Sequence, residues 1–293
     1  MADRPSTTRR SAPGAPAVRV DLRGQLPALE PERHVSDWGR SERVESLVDR
    51  TAGEFLYRLW FRVAVEGIEH VPARGGALLV SNHAGALPPD ALMIAKAIRE
   101  EHPAPRPLYL TAEHVFKGYP GLSMLLAKVG AVPAHPANVQ RLLWDEQQLV
   151  LTFPEGRMGT AKLYKDRYRL RRFGRGGFAQ AAMRARAPIV PVAVVGAEEA
   201  QPVFAHLRVL ERLTGLPAVP LTPTFPLLGP LGALAYLPAK FTIRFLEPIA
   251  TDTLGDAPWE DQVLVQSVAH DVRARIQDEL DDMLAARGSV WLG

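Results

Sequence analysis

Along residues 41–58 the apolar positions Val44, Leu47, Val48, Ala52, Phe55 and Leu56 recur at helical spacing, with charged residues between them. The spacing predicts a helix. Residues 60–65 read as extended and stop at Glu66-Gly67. Gly75-Gly76 leads into Ala77-Leu78-Leu79-Val80, a short apolar run of the kind that forms a strand buried on both faces. After Pro88-Pro89, helical spacing resumes over 90–99. Residues 108–111 predict a strand, and 119–128 and 136–146 predict helices. A second buried strand is predicted over 148–153 and ends at Pro154-Glu155-Gly156. A helix over 173–185, an apolar strand over 189–195 and an alternating strand over 240–245 follow. The clearest helix is predicted over 258–287, where Val265, Val268, Val272, Ile276, Leu280, Met283 and Leu284 share one face. Strands alternating with helices imply an α/β fold: a single domain with a mostly parallel sheet flanked by helices.

Two segments depart from this pattern. Residues 1–35 are rich in Pro, Ala, Ser and Arg without apolar periodicity, and are expected to be a disordered tail. The folded domain is then expected over 36–293, including the C-terminal amphipathic helix. The tail lacks the apolar stretch of a secretory signal. Residues 213–239 carry no charge and are long enough to span a bilayer, but they hold six prolines. Prolines at these positions would leave backbone groups unsatisfied in lipid, so no transmembrane helix is predicted. The segment reads as a buried irregular crossover or as an apolar lip against a membrane or acyl chain.

Composition narrows the chemistry. With 47% hydrophobic and 23% charged residues among 293, the chain has the makeup of a globular domain able to bury a sizeable core. It has no cysteine, which excludes disulfides, thiolate metal sites and a thiol nucleophile. The formal charge is only +3, but ten Lys and Arg and a single acid, Asp166, fall between Arg157 and Arg186. Tyr164, Tyr168 and Phe173 are interleaved with them. Such a block suits phosphates of coenzyme A, a lipid headgroup, an anionic membrane surface or a solvated face. No G-x-S-x-G, H-E-x-x-H or P-loop pattern is present, and the histidines other than His83 are scattered without metal-ligand spacing.

The candidate chemistry sits at the ends of predicted strands. Asn82-His83 follows the first buried strand, which in a parallel sheet is where ligands bind. An imidazole there can accept a proton near neutral pH, and an acid can orient it. Asp90 is the nearest acid in sequence, although it also opens a helix and suits a capping role. Glu155, Gly156 and Arg157 stand at the tip of the second strand. Glu155 can hold a hydroxyl or an arginine, and Gly156 permits close backbone approach to a ligand.

Taken together, these segments resemble the glycerolipid acyltransferase family, the lysophosphatidic-acid-acyltransferase-like superfamily. Ser81-Asn82-His83 with Asp90 resembles the first family block, in a branch with the pattern H-x-x-x-L-P-x-D. Gly130-Ala131-Val132-Pro133 resembles the second, Phe153-Pro154-Glu155-Gly156 the third, and Ile189-Val190-Pro191-Val192 the fourth. The four stand in family order over roughly residues 60 to 250. The resemblance implies that His83 deprotonates an acceptor hydroxyl, with Asp90 orienting it. The hydroxyl then attacks a thioester of coenzyme A or acyl carrier protein without an acyl-enzyme. Asn82, Glu155, Gly156 and Arg157 are the implied substrate-binding positions. The region Pro133-Ala134-His135-Pro136 lacks the arginine that grips a glycerol phosphate in many relatives, with Arg141 further on, so a neutral diacylglycerol- or wax-type acceptor is the alternative. No cofactor, metal or nucleic acid is expected. The expected partners are acyl-CoA or acyl carrier protein, a lipid acceptor, and the cytoplasmic face of a membrane contacted peripherally. A non-catalytic lipid-binding protein with the same fold, or a thioester hydrolase, remains open from sequence.

Overall fold

The apolar runs become neighbours in one sheet. The computed structural model describes residues 38–84, 89–112, 120–174, 176–214, 219–229, 232 and 235–292, all within one compact unit. Its strands are β1 (Ala64–Glu66), β2 (Ala77–Ser81), β3 (Leu108–Ala112), β4 (Ala131–Pro133), β5 (Leu149–Thr152), β6 (Ile189–Val195), β7 (Ala205–His206), β8 (Pro220–Leu221) and β9 (Thr242–Phe245). Seven form one sheet in the order β1-β9-β6-β2-β5-β3-β4, and β7 and β8 form a separate antiparallel ribbon. Within the large sheet every pairing is parallel except β6 with β9. The expected tail over 1–35 lies outside the described residues.

The helices are α1 (Glu42–Val48), α2 (Asp90–Glu101), α3 (Pro120–Lys128), α4 (Pro136–Gln140), α5 (Arg157–Thr160), α6 (Gly177–Arg184), α7 (Ala197–Ala200), α8 (Arg208–Thr214) and α9 (Gln262–Ala286). Asp261 caps α9 by accepting from the Val263 and Leu264 amides, at 2.9 and 3.1 Å. Strand β2 is buried on both faces, and its alternate side chains enter different cores. Leu78 and Val80 join α6 and α9 through Ala179, Ala182, Val272, Ile276 and Leu280. Ala77 and Leu79 join α2 through Met93, Ile94, Ala97 and Ile98, together with Tyr57 and Phe61. The sheet therefore lies between two helical layers. Buried Lys96 on α2 meets Asp49, Glu54 and Glu100 at 3.3, 2.8 and 3.1 Å, tying the N-terminal helical stretch to the second layer.

Two predicted boundaries move. Residues 60–65 were expected to be extended, but α1 continues in wide turns over Asp49–Gly53 and Phe55–Trp60. The Phe61 amide still donates to Leu56 O at 2.8 Å, and this turn carries Tyr57 and Phe61 inward together. Packing of two large rings overrides the strand propensity of an aromatic and β-branched run. The helix expected from residue 173 begins only at Gly177, because Gly174 and Gly176 hold left-handed φ of 55° and 79°.

Within residues 213–239 the described positions are partly buried and partly exposed, without a long helix. Val219, Thr222 and Ala239 are buried, the Leu237 amide donates to Ala200 O at 2.7 Å, and Leu227 and Leu228 project outward. Among the described residues no helix is long and apolar enough to cross a membrane.

Candidate active site

Chain order passes from β5 to β6 across β2, so the strands on either side of β2 are reached in opposite directions. Ligands of open α/β sheets bind outside the carboxyl ends of strands at such a reversal. His83 lies two residues past β2, and the turn Phe153-Pro154-Glu155-Gly156 leaves the adjacent β5. The topology brings the first and third blocks together.

The imidazole and the carboxylate meet despite the six residues between them. His83 Nδ1 lies 3.1 Å from Asp90 Oδ2. The same oxygen accepts from the Ala84 amide at 3.3 Å, and Oδ1 accepts from the Ala91 amide at 2.7 Å. Pro89 occupies the capping position of α2, and Asp90 is its first helical residue, a favourable place for a negative charge. The Asp90 side chain is 1% exposed and that of His83 15%. With Nδ1 turned to Asp90, Nε2 is the ring nitrogen left to meet a hydroxyl. The ring also stacks on Phe153, at 4.0 Å between centroids and 22° between planes, which fixes its tilt. Residues 85–88 lie outside the described residues. Tyr236 is nearby: burial and the Asp90 carboxylate push its phenol up to about 12.

Asn82 is tied inward. Its side-chain NH2 donates to Val194 O at 3.0 Å and its oxygen accepts from the Val194 amide at 2.8 Å. The side chain thus stitches the end of β2 to β6 and does not point outward to a substrate. Glu155 is likewise committed: Oε1 accepts from the His83 amide at 3.1 Å, and Oε2 from the Arg171 amide at 2.8 Å. Lys162 Nζ lies 3.3 Å from Glu155 Oε2 and 3.1 Å from Glu198 Oε1. Glu155 clamps the backbone of His83 where an acceptor contact was expected. Gly156 has a left-handed φ of 50° and donates to Phe153 O at 3.0 Å, closing the turn. Arg157 opens α5, and its side chain lies outside the described residues.

Glu198 and Gly159 are positions beside the site that the sequence did not single out, and Lys162 was read only as one of the basic block. Burial, opposed by Lys162, pushes Glu198 up to about 7. Gly159 packs against the site so closely that a Cβ there would lie 2.9 Å from Glu155 Cβ and 3.1 Å from His83 Cβ. Of the basic block, Arg167, Arg169, Arg171 and Arg172 are exposed along a segment whose alternate residues Tyr168, Leu170 and Phe173 are buried. Arg141 pairs with Glu146 at 2.8 Å and stacks over Trp38, with its guanidinium 4.8 Å from the ring centroid. A surface cavity bordered by Arg40, Glu45, Arg99 and Arg106 adjoins the entry to β3, at the other end of the strands from His83. Among the described residues no cluster of three or more His, Asp and Glu is placed to hold a metal ion.

A histidine held by a buried carboxylate at the carboxyl ends of parallel strands is the layout of an α/β enzyme site. Residues 62–195 match the Acyltransferase family, and the chain belongs to that family. It is 42% identical over 259 residues to an uncharacterized protein of Mycobacterium tuberculosis, covering 88% of this chain and 72% of that one. An uncharacterized protein of Mycobacterium leprae is 41% identical over 259 residues, with 88% and 70% covered. A "DGAT1/2-independent enzyme synthesizing storage lipids" of Bos taurus is 29% identical over 135 residues, 46% of this chain and 39% of that protein. The crystal structure of the 1-acyl-sn-glycerophosphate (LPA) acyltransferase PlsC from Thermotoga maritima shares the fold, with a TM-score of 0.54 and 16% identity over 83% of this chain and 80% of that chain.

Proposed function

We propose that this acyltransferase moves a fatty acyl group from a thioester of coenzyme A or acyl carrier protein to a hydroxyl of a lysophospholipid or glycerolipid. The observation that carries the reading is the 3.1 Å contact between His83 Nδ1 and Asp90. His83 Nε2 takes the proton of the acceptor hydroxyl as its oxygen attacks the thioester carbonyl. Asp90 stabilises the imidazolium that results. The tetrahedral intermediate collapses, the carbon–sulfur bond breaks, and the imidazolium returns the proton to the departing thiolate. Glu155 acts by fixing the His83 backbone.

A neutral acceptor such as a diacylglycerol or long-chain alcohol is the second reading. It is favoured by the engagement of Arg141 with Glu146 and Trp38, which occupies the first arginine after the second block in sequence. The name of the Bos taurus relative, a storage-lipid enzyme, supports the same reading. Docking on the cytoplasmic face of a membrane would use the outward apolar residues Leu47, Phe55 and Leu59, with Leu227 and Leu228 as a second contact.

The test is thiol release from acyl-CoA and from acyl carrier protein, with and without lysophospholipid, diacylglycerol and long-chain alcohol, scored by the lipid formed. Acceptor-dependent release with an esterified product is expected. Equal release without any acceptor would mean hydrolysis. Lipid binding with no turnover across the panel would mean a non-catalytic protein.

A further inference from the structure

Lys162 stands outside the four blocks, and its side chain is 1% exposed. A buried ammonium is costly without anionic partners. It has two, Glu155 Oε2 at 3.3 Å and Glu198 Oε1 at 3.1 Å. Glu155 in turn joins three separate segments: the loop after β2 through the His83 amide, its own turn after β5, and the arginine-rich segment through the Arg171 amide. Both bonds need acceptor oxygens.

The surroundings make the placement of the Glu155 carboxylate depend on the lysine. Glu198 also accepts from the Tyr168 amide at 3.0 Å. Its neighbour Glu199 accepts from the Tyr168 hydroxyl and pairs with Arg287 at 3.1 Å, so Arg287 is committed there. Lys162 is the cation between Glu155 and Glu198. Without it the Glu155 carboxylate loses its charged partner and is left beside a second acidic side chain, Glu198.

We infer that Lys162 is a positioning residue of this active site: its ammonium, 3.3 Å from Glu155 Oε2, holds the Glu155 carboxylate in place, so that Glu155 keeps the His83 backbone in register with Asp90. The inference rests on the acyl-transfer reading above for its kinetic consequence. A displacement near 1 Å at a reacting group can cost roughly 10²-fold in rate, and the loss expected here is about 10- to 100-fold in kcat.

The experiment is a double-mutant cycle of Lys162→Met and Glu155→Gln, with Lys162→Gln as a second neutral replacement. In the folded variants kcat is expected to fall by about 10- to 100-fold, with KM for donor and acceptor within about 3-fold of wild type. In the Glu155→Gln background the Lys162 substitution is expected to add less than about 3-fold, because it acts through Glu155. Wild-type kcat in a folded Lys162 variant, or an equal loss in both backgrounds, overturns the inference. Amide hydrogen exchange supplies a readout that needs no turnover. Exchange at the His83 and Arg171 amides is expected to quicken at least about 10-fold in Lys162→Met or Lys162→Gln, with α2 unchanged. Unchanged exchange at both amides overturns the inference equally. A wild-type protein without acceptor-dependent turnover would count against the acyl-transfer reading, while the exchange result would still decide the role of Lys162.

Discussion

Replacing Asp90 by asparagine removes a charge and one acceptor while keeping shape. The carboxylate serves three groups, His83 Nδ1 and the Ala84 amide on Oδ2 and the Ala91 amide on Oδ1. An amide has one acceptor oxygen, so its NH2 must face one of these two sides. Facing Ala91, it leaves the Ala91 amide unbonded at about 1–3 kcal/mol, and the imidazolium loses its counter-charge. Facing His83, it donates to Nδ1 and drives the ring proton to Nε2, where it blocks acceptance from a hydroxyl. The wrong tautomer costs about 10⁴-fold in a histidine–aspartate pair of comparable geometry. The expected result for Asp90→Asn is a kcat lower by about 10²- to 10⁴-fold, KM for both substrates within about 3-fold, and a modest drop in melting temperature. Steady-state acyl transfer, with melting curves on the same samples, measures all three. A folded Asp90→Asn protein with kcat within about 3-fold of wild type would refute the orienting role.

Gly159→Ala puts a Cβ 2.9 Å from Glu155 Cβ and 3.1 Å from His83 O, and should cost roughly 1–3 kcal/mol with a lowered kcat, read by urea unfolding and turnover. Normal values for both would show that the contact relaxes freely. Glu198, pushed up to about 7 by burial, keeps a proton that the unfolded chain releases above the ordinary glutamate value of 4.5. Stability should therefore fall as pH rises from about 4.5 to 7, by on the order of 3 kcal/mol, and Glu198→Gln should flatten that slope in unfolding at pH 5 and 8. An unchanged slope would place the titration elsewhere. Leu47→Glu/Phe55→Glu/Leu59→Glu, at positions 63%, 48% and 69% exposed, should weaken binding to anionic vesicles by at least about 10-fold without lowering the melting temperature. Undiminished sedimentation with vesicles would remove this face from the docking surface.

The strands were legible because burial on both faces writes a continuous apolar run, as in Ala77-Leu78-Leu79-Val80 and residues 189–195. Short elements such as β4, β7 and β8 carry too few residues to write a pattern. The end of α1 misled because Trp60 and Phe61 have strand propensity, and only tertiary packing against Phe241 and Tyr236 decides for the helical turn. His83 and Glu155 were legible from their places after β2 and β5. What the sequence did not carry is direction. Asn82 points sideways to Val194, and Glu155 points back at the His83 amide. Lys162 lay within a basic block and gave no sign that it turns inward between two acids, since the charge of its neighbours masks burial that only the fold creates.

The central claim is that His83 is the base that activates an acceptor hydroxyl. It is tested most directly by His83→Ala in the labelled acyl-CoA assay, with circular dichroism to establish that the variant is folded. The account predicts that acceptor-dependent transfer falls to background in the folded variant while the wild type forms esterified lipid. Wild-type turnover by folded His83→Ala would contradict it.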